Sequence, residues 1–362
     1  MKQSRTMIKL EVAATLFGCS VILYALAAYV DGFANWYFTH IYRYLSSVIS
    51  WVTGLFPFSV VEFLLYTMIL VVVIVVVRTV HKVVRKKSKF RPVLINGSLH
   101  VLLFLGAILF LYVINCGINY HRDSFIQLEN IEETHYGRDE LVEVCNTLTK
   151  EINQIQERLQ RGDDGLIIVS DKIKSTAREE MKALSKRYPS LKGYYPDPKP
   201  LVVSELLSYQ QVSGIYSPFT VEANYNNDMP EYLKPYTICH ELSHLKGVMR
   251  EEEANYVAFL ACMDSDDPVF KYSGLMHAYT KCMSELSNYD AEEYKTIRSQ
   301  LNEGSNADIV SKYEFWERYE GKIATLSNKM NDAYLKANSQ TAGVDSYNQV
   351  TGLIVTYFIK MK

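Results

Sequence analysis

Three stretches of the chain are apolar and free of charge: Val12 to Val30 (19 residues), Phe63 to Val77 (15 residues) and Val93 to Cys116 (24 residues). At about 1.5 Å per residue, some 19 helical residues cross a hydrocarbon core of roughly 30 Å. The middle stretch reaches that length if it starts near Leu55 or Phe56, with Glu62 at the headgroup level. The pattern predicts three transmembrane helices, at 12–30, 56–77 and 93–116. Beyond residue 117 the pattern becomes amphipathic. Leu141, Val144, Leu148, Ile152, Ile155 and Leu159 fall at helical spacing and predict a helix over 139–161, and a second is expected over 172–187. Leu201-Val202-Val203 and Gly214-Ile215-Tyr216 read as strands, broken by Pro218. From Pro235 onward the chain reads as helix, longest over 307–338. The apolar stretch at 346–359 is short, and we expect it to dock on the folded part rather than cross a membrane. The expected fold is mainly α with a small antiparallel β-sheet, plus three N-terminal transmembrane helices. The domains are a membrane anchor at 1–116 and a soluble domain at 117–362.

Charge supports that division. Residues 1–116 hold 11 Lys+Arg against 3 Asp+Glu, and the remainder holds 27 against 37. A basic apolar front joined to an acidic back describes an anchor and a soluble domain, with the bilayer as partner and no nucleic acid. The 48% hydrophobic content excludes a chain embedded throughout, and 27 Tyr with 15 Phe exclude a disordered one. Seven basic residues (Arg78, Lys82, Arg85, Lys86, Lys87, Lys89 and Arg91) lie between the second and third spans, against Arg43 alone between the first and second. The positive-inside rule puts the 78–92 loop and the N-terminus in the cytoplasm and residues 117–362 outside the cell membrane. A cleaved signal peptide ending near Ala25-Leu26-Ala27 is the competing reading of the first span, and it leaves this topology unchanged. Trp36, Tyr37, Phe38, Tyr42, Tyr44 and Trp51 read as an interfacial aromatic belt. Six cysteines form no disulfide framework; one pair among Cys145, Cys239, Cys262 and Cys282 stays open, with buried free thiols the alternative.

The chemistry is carried by His240-Glu241-Leu242-Ser243-His244, an HExxH motif on an expected helix. Histidines at i and i+4 share one helix face, so both imidazoles can reach one Zn²⁺, and Glu241 is placed to take a proton from a water activated there. With 8 His in 362 residues the motif is expected by chance only about 0.01 times. A third ligand must follow. HExxHxxGxxH would need His at 250, which is Arg, so the metzincin pattern is excluded. Glu251 is favoured because Asn255 stands one helical turn later, where an amide can support a ligand histidine from the second shell. Glu252 and Glu253 compete with it. For Glu251 to reach the metal, the motif helix must end at Gly247 and the chain must turn back. Cys239 reads as core packing. Tyr209, Tyr216 and His277 are candidates for stabilising an oxyanion, and Pro218-Phe219-Thr220 for an edge that aligns an extended substrate, with a structural turn as the alternative.

Five segments together resemble a bacterial membrane-protein family catalogued only as a domain of unknown function: Ser217-Pro218-Phe219-Thr220, Glu222-Ala223-Asn224, Cys239 to His244, Glu251 to Asn255 and Ser346-Tyr347. The resemblance covers essentially the whole chain. It implies a zincin-like α+β soluble domain and a gluzincin-like metallopeptidase, although only six residues separate His244 from Glu251, fewer than in most gluzincins. The expected function is a membrane-anchored zinc peptidase acting on a peptide or protein substrate, with ligands His240, His244 and Glu251 and with Glu241 as general base. A non-catalytic zinc-binding sensor or scaffold, and a zinc amidase acting on a cell-wall cross-link, are the alternatives.

Overall fold

The computed structural model describes residues 2–85, 90–338 and 340–360. Lys86, Lys87 and Lys89 of the basic loop lie outside the described residues, as do the side chains of Lys82, Arg91 and Tyr347. The protein is mainly helical, with one small sheet and three helices long and apolar enough to span a membrane.

The spans are carried by α1 (Lys2–Tyr29), α4 (Val60–Val84) and α5 (Phe90–Asn115). Helices α1 and α5 lie side by side at close range, and a Cβ on Gly106 would come within 3.3 Å of Leu16 and Phe17. Helix α4 leaves its whole apolar length bare. Between the first two spans come α2 (Phe33–Tyr37), a π-helical turn (Phe38–Tyr42) and α3 (Arg43–Gly54). The expected aromatic belt divides here. Trp36, Tyr44 and Trp51 are exposed, whereas Tyr37, Phe38 and Tyr42 are buried. The Tyr42 hydroxyl donates to the Leu245 carbonyl at 3.1 Å, so part of this linker is built into the folded domain.

The soluble part opens with α6 (Phe125–Leu128), α7 (Arg138–Ile155) and α8 (Ile173–Arg187), followed by β1 (Lys199–Pro200), α9 (Ser204–Tyr209), β2 (Gly214–Ser217) and β3 (Glu222–Tyr225). It continues as α10 (Lys234–His244), α11 (Glu251–Met263), α12 (Pro268–Tyr289), α13 (Ala291–Arg298), α14 (Glu303–Glu317), α15 (Lys322–Ala337) and α16 (Val350–Lys360). The stretch expected as one helix over 307–338 breaks at residues 318–321, where Gly321 precedes α15. Nearly every residue of α11 is buried, which puts this helix at the centre of the core. Helix α16 docks there through Val350, Ile354 and Val355, as expected of a short apolar helix that does not span.

The sheet runs in the order β1-β3-β2. The antiparallel pair β2–β3 is present, and β1 joins β3 in parallel, so the sheet is mixed. The expected strand at Leu201-Val202-Val203 is not formed. The Val202 and Val203 N–H groups donate instead to the Glu62 carboxylate, both at 2.9 Å. Glu62 therefore ties the start of α4 to the folded part. In return, Glu222 of β3 accepts from the Val60 and Val61 N–H groups at 3.0 and 2.9 Å, capping the positive end of α4. Lys199 completes this clamp, donating to Glu222 at 2.7 Å and to the Thr53 carbonyl at 2.6 Å.

Lys199 and Glu222 are both buried, so removing one partner strands the other charge. Glu222→Ala should destabilise the full-length chain by about 3–5 kcal/mol. Thermal unfolding in detergent checks this, and an unchanged midpoint would contradict the clamp.

Candidate metal centre

Pro235 lies in the first turn of α10, where a missing N–H costs nothing, and the helix runs to His244. It ends because Gly247 adopts φ +75°, a left-handed conformation that glycine accepts without strain. The chain turns through 245–250 and re-enters helix at Glu251. The turn is closely packed, and a Cβ on Gly247 would stand 3.1 Å from Tyr42, 3.2 Å from Phe38 and 3.3 Å from Asn119.

This reversal brings three ligand atoms together. His240 Nε2 and His244 Nε2 are 3.1 Å apart, and Glu251 Oε2 lies 3.2 Å from the first and 3.7 Å from the second. Ligands held tetrahedrally at 2.0–2.1 Å from one ion are separated by about 3.3–3.4 Å, so this triangle fits one small ion with a fourth position left open. Glu251 Oε2 is buried and accepts no hydrogen bond. His244 Nδ1 lies 2.7 Å from the Val248 carbonyl. A carbonyl only accepts, so Nδ1 carries a proton and Nε2 faces the cluster, where it can ligate once its own proton is displaced. Among the described residues, His240, His244 and Glu251 are the group of this kind that the fold assembles.

The charged groups of the cluster shift one another. Burial alone would raise the Glu251 carboxyl, but His244 and His240 outweigh it and hold the carboxyl well below its ordinary value. Burial would lower His244, yet the carboxylates of Glu251 and Glu241 lift it to about 9. Burial pushes Glu241 up to about 7, with the two histidines opposing. Two carboxylates and two imidazoles, all largely withdrawn from water, offer donors of the kind a divalent ion takes.

Glu241 itself is wedged beneath β2. A Cβ on Gly214 would fall 2.5 Å from its Oε1, and the nearby Tyr216 backbone is one of the influences that lower its carboxyl. Only glycine lets the strand pass this close. Gly214→Val should therefore displace Glu241 while leaving the three ligand residues unchanged; retained metal content with altered activity is the expected result, read by elemental analysis and a hydrolysis assay.

The other sequence candidates are placed as follows. Asn255 is buried one turn after Glu251, but its Oδ1 accepts from the Tyr236 hydroxyl at 3.3 Å, and the support seen for a ligand histidine comes from the Val248 backbone. Glu253 accepts from the Phe125 N–H at 2.9 Å, and Glu252 lines a separate polar pocket with Arg250 and Gln340. Tyr216 packs near His244, its hydroxyl donating to the Asn115 carbonyl at 3.2 Å. His277 is stacked on Tyr236 in the core, and Tyr209 packs edge-on against Tyr319 away from the cluster. Cys239 is buried against Cys262, and all six cysteines are free thiols. Gly214 and Val248 were missed. A glycine at the start of a strand was an available signal for close approach, whereas a backbone carbonyl leaves no trace in sequence.

The model of a protein family described as "Protein of unknown function (DUF3810)" matches residues 37–355. No curated protein and no solved structure matches the chain.

Proposed function

The chain belongs to this family of unknown function, and we propose that it is a membrane-anchored zinc metallopeptidase. The observation that carries the reading is the convergence of His240, His244 and Glu251 within reach of one ion, with Glu241 held between its own helix and β2. When bound, Zn²⁺ supplies a Lewis acid that polarises a carbonyl and acidifies a water. The chain's own residues do the rest. The close pass of β2 at Gly214 holds the Glu241 carboxylate, which receives a proton from the attacking water and delivers it to the leaving amine. The Val248 carbonyl keeps His244 in the ligating tautomer. Strand β2 lies at the edge of the sheet, so an extended peptide can add beside Glu241 through main-chain hydrogen bonds.

A purely structural metal site needs no carboxylate in the position of Glu241, which favours hydrolysis over a sensor or scaffold. A cell-wall amidase would use the same groups, and a peptide-library cleavage assay beside cross-linked wall fragments separates the two. Zinc content and library cleavage of the purified full-length chain test the proposal; cleavage of no substrate by zinc-loaded protein would contradict it.

The seven basic residues at 78–91 support a topology with that loop in the cytoplasm and the metal centre outside. A reporter active only in the cytoplasm should work when fused in that loop and fail when fused after residue 130. The reverse pattern would invert the topology.

A further inference from the structure

Helix α3 is amphipathic the wrong way round for a helix packed on a soluble domain. Its polar face, with Ser46, Ser50 and Thr53, is buried, while Tyr44, Val48, Trp51 and Val52 are exposed. The polar side is bonded to the domain: Arg43 donates to the Pro189 carbonyl at 2.9 Å, Ser47 accepts from the Tyr194 N–H at 3.3 Å, and the Thr53 carbonyl accepts from Lys199. Six residues after α3 the chain enters the span α4, whose first turn is clamped by Glu222. A helix tied to a span, with protein on its polar face and, among the described residues, nothing on its apolar face, has the arrangement of a helix lying in a bilayer interface.

The His240–His244–Glu251 cluster is tied to this linker and to the end of the third span. Tyr42, immediately before α3, bonds the carbonyl that follows His244. Cys116, just past the end of the third span, has its sulfur 3.6 Å from that of Met249, and Met249 is two residues from Glu251, at most about 7 Å of backbone. The edge strand is moored at the same level. Asn115, the last residue of α5, donates through Nδ2 to the Pro218 carbonyl at 2.8 Å and accepts from the Tyr216 hydroxyl. From Gly214 to Pro218 a strand rises only about 13 Å.

We propose that the substrate of this site is the juxtamembrane segment of a polypeptide anchored in the same bilayer, threaded along β2 as it leaves the lipid. The inference rests on the peptidase reading above, and adds that β2 meets the membrane within a few residues of Glu241. A chain emerging beside α5 reaches the edge strand at once, whereas a site far from its anchor must fold back to the surface. Anchoring also raises the local concentration of the segment.

The test uses the full-length chain in vesicles of phosphatidylethanolamine and phosphatidylglycerol. A randomised peptide cassette is placed either within ten residues of a single apolar helix, or some thirty residues from it, or free in solution, with Glu241→Gln protein as the blank. Cleavage should favour the near cassette by roughly tenfold or more. Equal cleavage of all three would overturn the inference and leave the peptidase reading standing. An activity-independent arm attaches an environment-sensitive dye at Val48→Cys or Trp51→Cys in a Cys19→Ser background. Spin-labelled lipid should quench both, and not the same dye at Glu179→Cys on α8. Unquenched dye at 48 and 51 would overturn the membrane seat whatever the activity. Quenched dye with no cleavage of any cassette by zinc-loaded protein would overturn the peptidase reading, and this inference with it.

Discussion

Glu241→Gln should keep bound zinc and the folded state while hydrolysis falls by about 10²–10⁴-fold, the usual contribution of a positioned general base. Glutamine keeps the size of the side chain and can still sit beneath Gly214, where a Cβ would be only 2.5 Å from Oε1. It cannot accept the water's proton. The comparison of metal content with rate is what makes the variant informative. Loss of both would mean that Glu241 holds the fold together, and retained hydrolysis would assign the base elsewhere. Because Glu241 is buried and is no member of the ligand triangle, its removal leaves the three ion-facing atoms in place.

His244→Ala has the second large effect, on the metal itself. His244 Nε2 is within 3.1 Å of the other imidazole and 3.7 Å of Glu251, and its Nδ1 faces the Val248 carbonyl, so alanine removes one of the three proposed ligands and strands that carbonyl. Zinc in the purified chain should drop from close to one equivalent to near none, as it should for His240→Ala. Elemental analysis of protein kept in chelator-free buffer reads the difference. Stoichiometric zinc in a His240→Ala/His244→Ala double variant would place the metal elsewhere in the chain.

Much of the local structure was legible in the residues. The three apolar stretches appear as helices, although α4 begins at Val60 rather than at 56, after the turn around Pro57. The spacing of Leu141, Val144, Leu148, Ile152 and Ile155 gave α7, and all five are buried. Gly247 marked the end of the motif helix through the same physics the structure displays, a left-handed residue that only glycine adopts cheaply.

Long-range partners were not legible. Val202 and Val203 have the β-branched character of a strand, but their N–H groups meet a carboxylate 140 residues earlier in the chain. The pattern of the linker between the first two spans does not show which aromatic residues meet protein, so all six read together as a lipid belt when Tyr37, Phe38 and Tyr42, ahead of α3, are buried. Asn255 follows the i+4 logic of a supporting amide, yet tertiary packing gives its oxygen to Tyr236. Local rules located the elements and the motif, whereas the clamp through Glu62, Lys199 and Glu222 needed the fold.

His240, His244 and Glu251 are proposed to bind one zinc ion together. X-ray absorption at the zinc edge of the full-length chain measures this directly. The account predicts two imidazole nitrogens and at least one oxygen at about 2.0–2.2 Å with no sulfur, and loss of one oxygen-type ligand or of the metal in Glu251→Ala. Sulfur at about 2.3 Å, or an unchanged spectrum in Glu251→Ala, would contradict it.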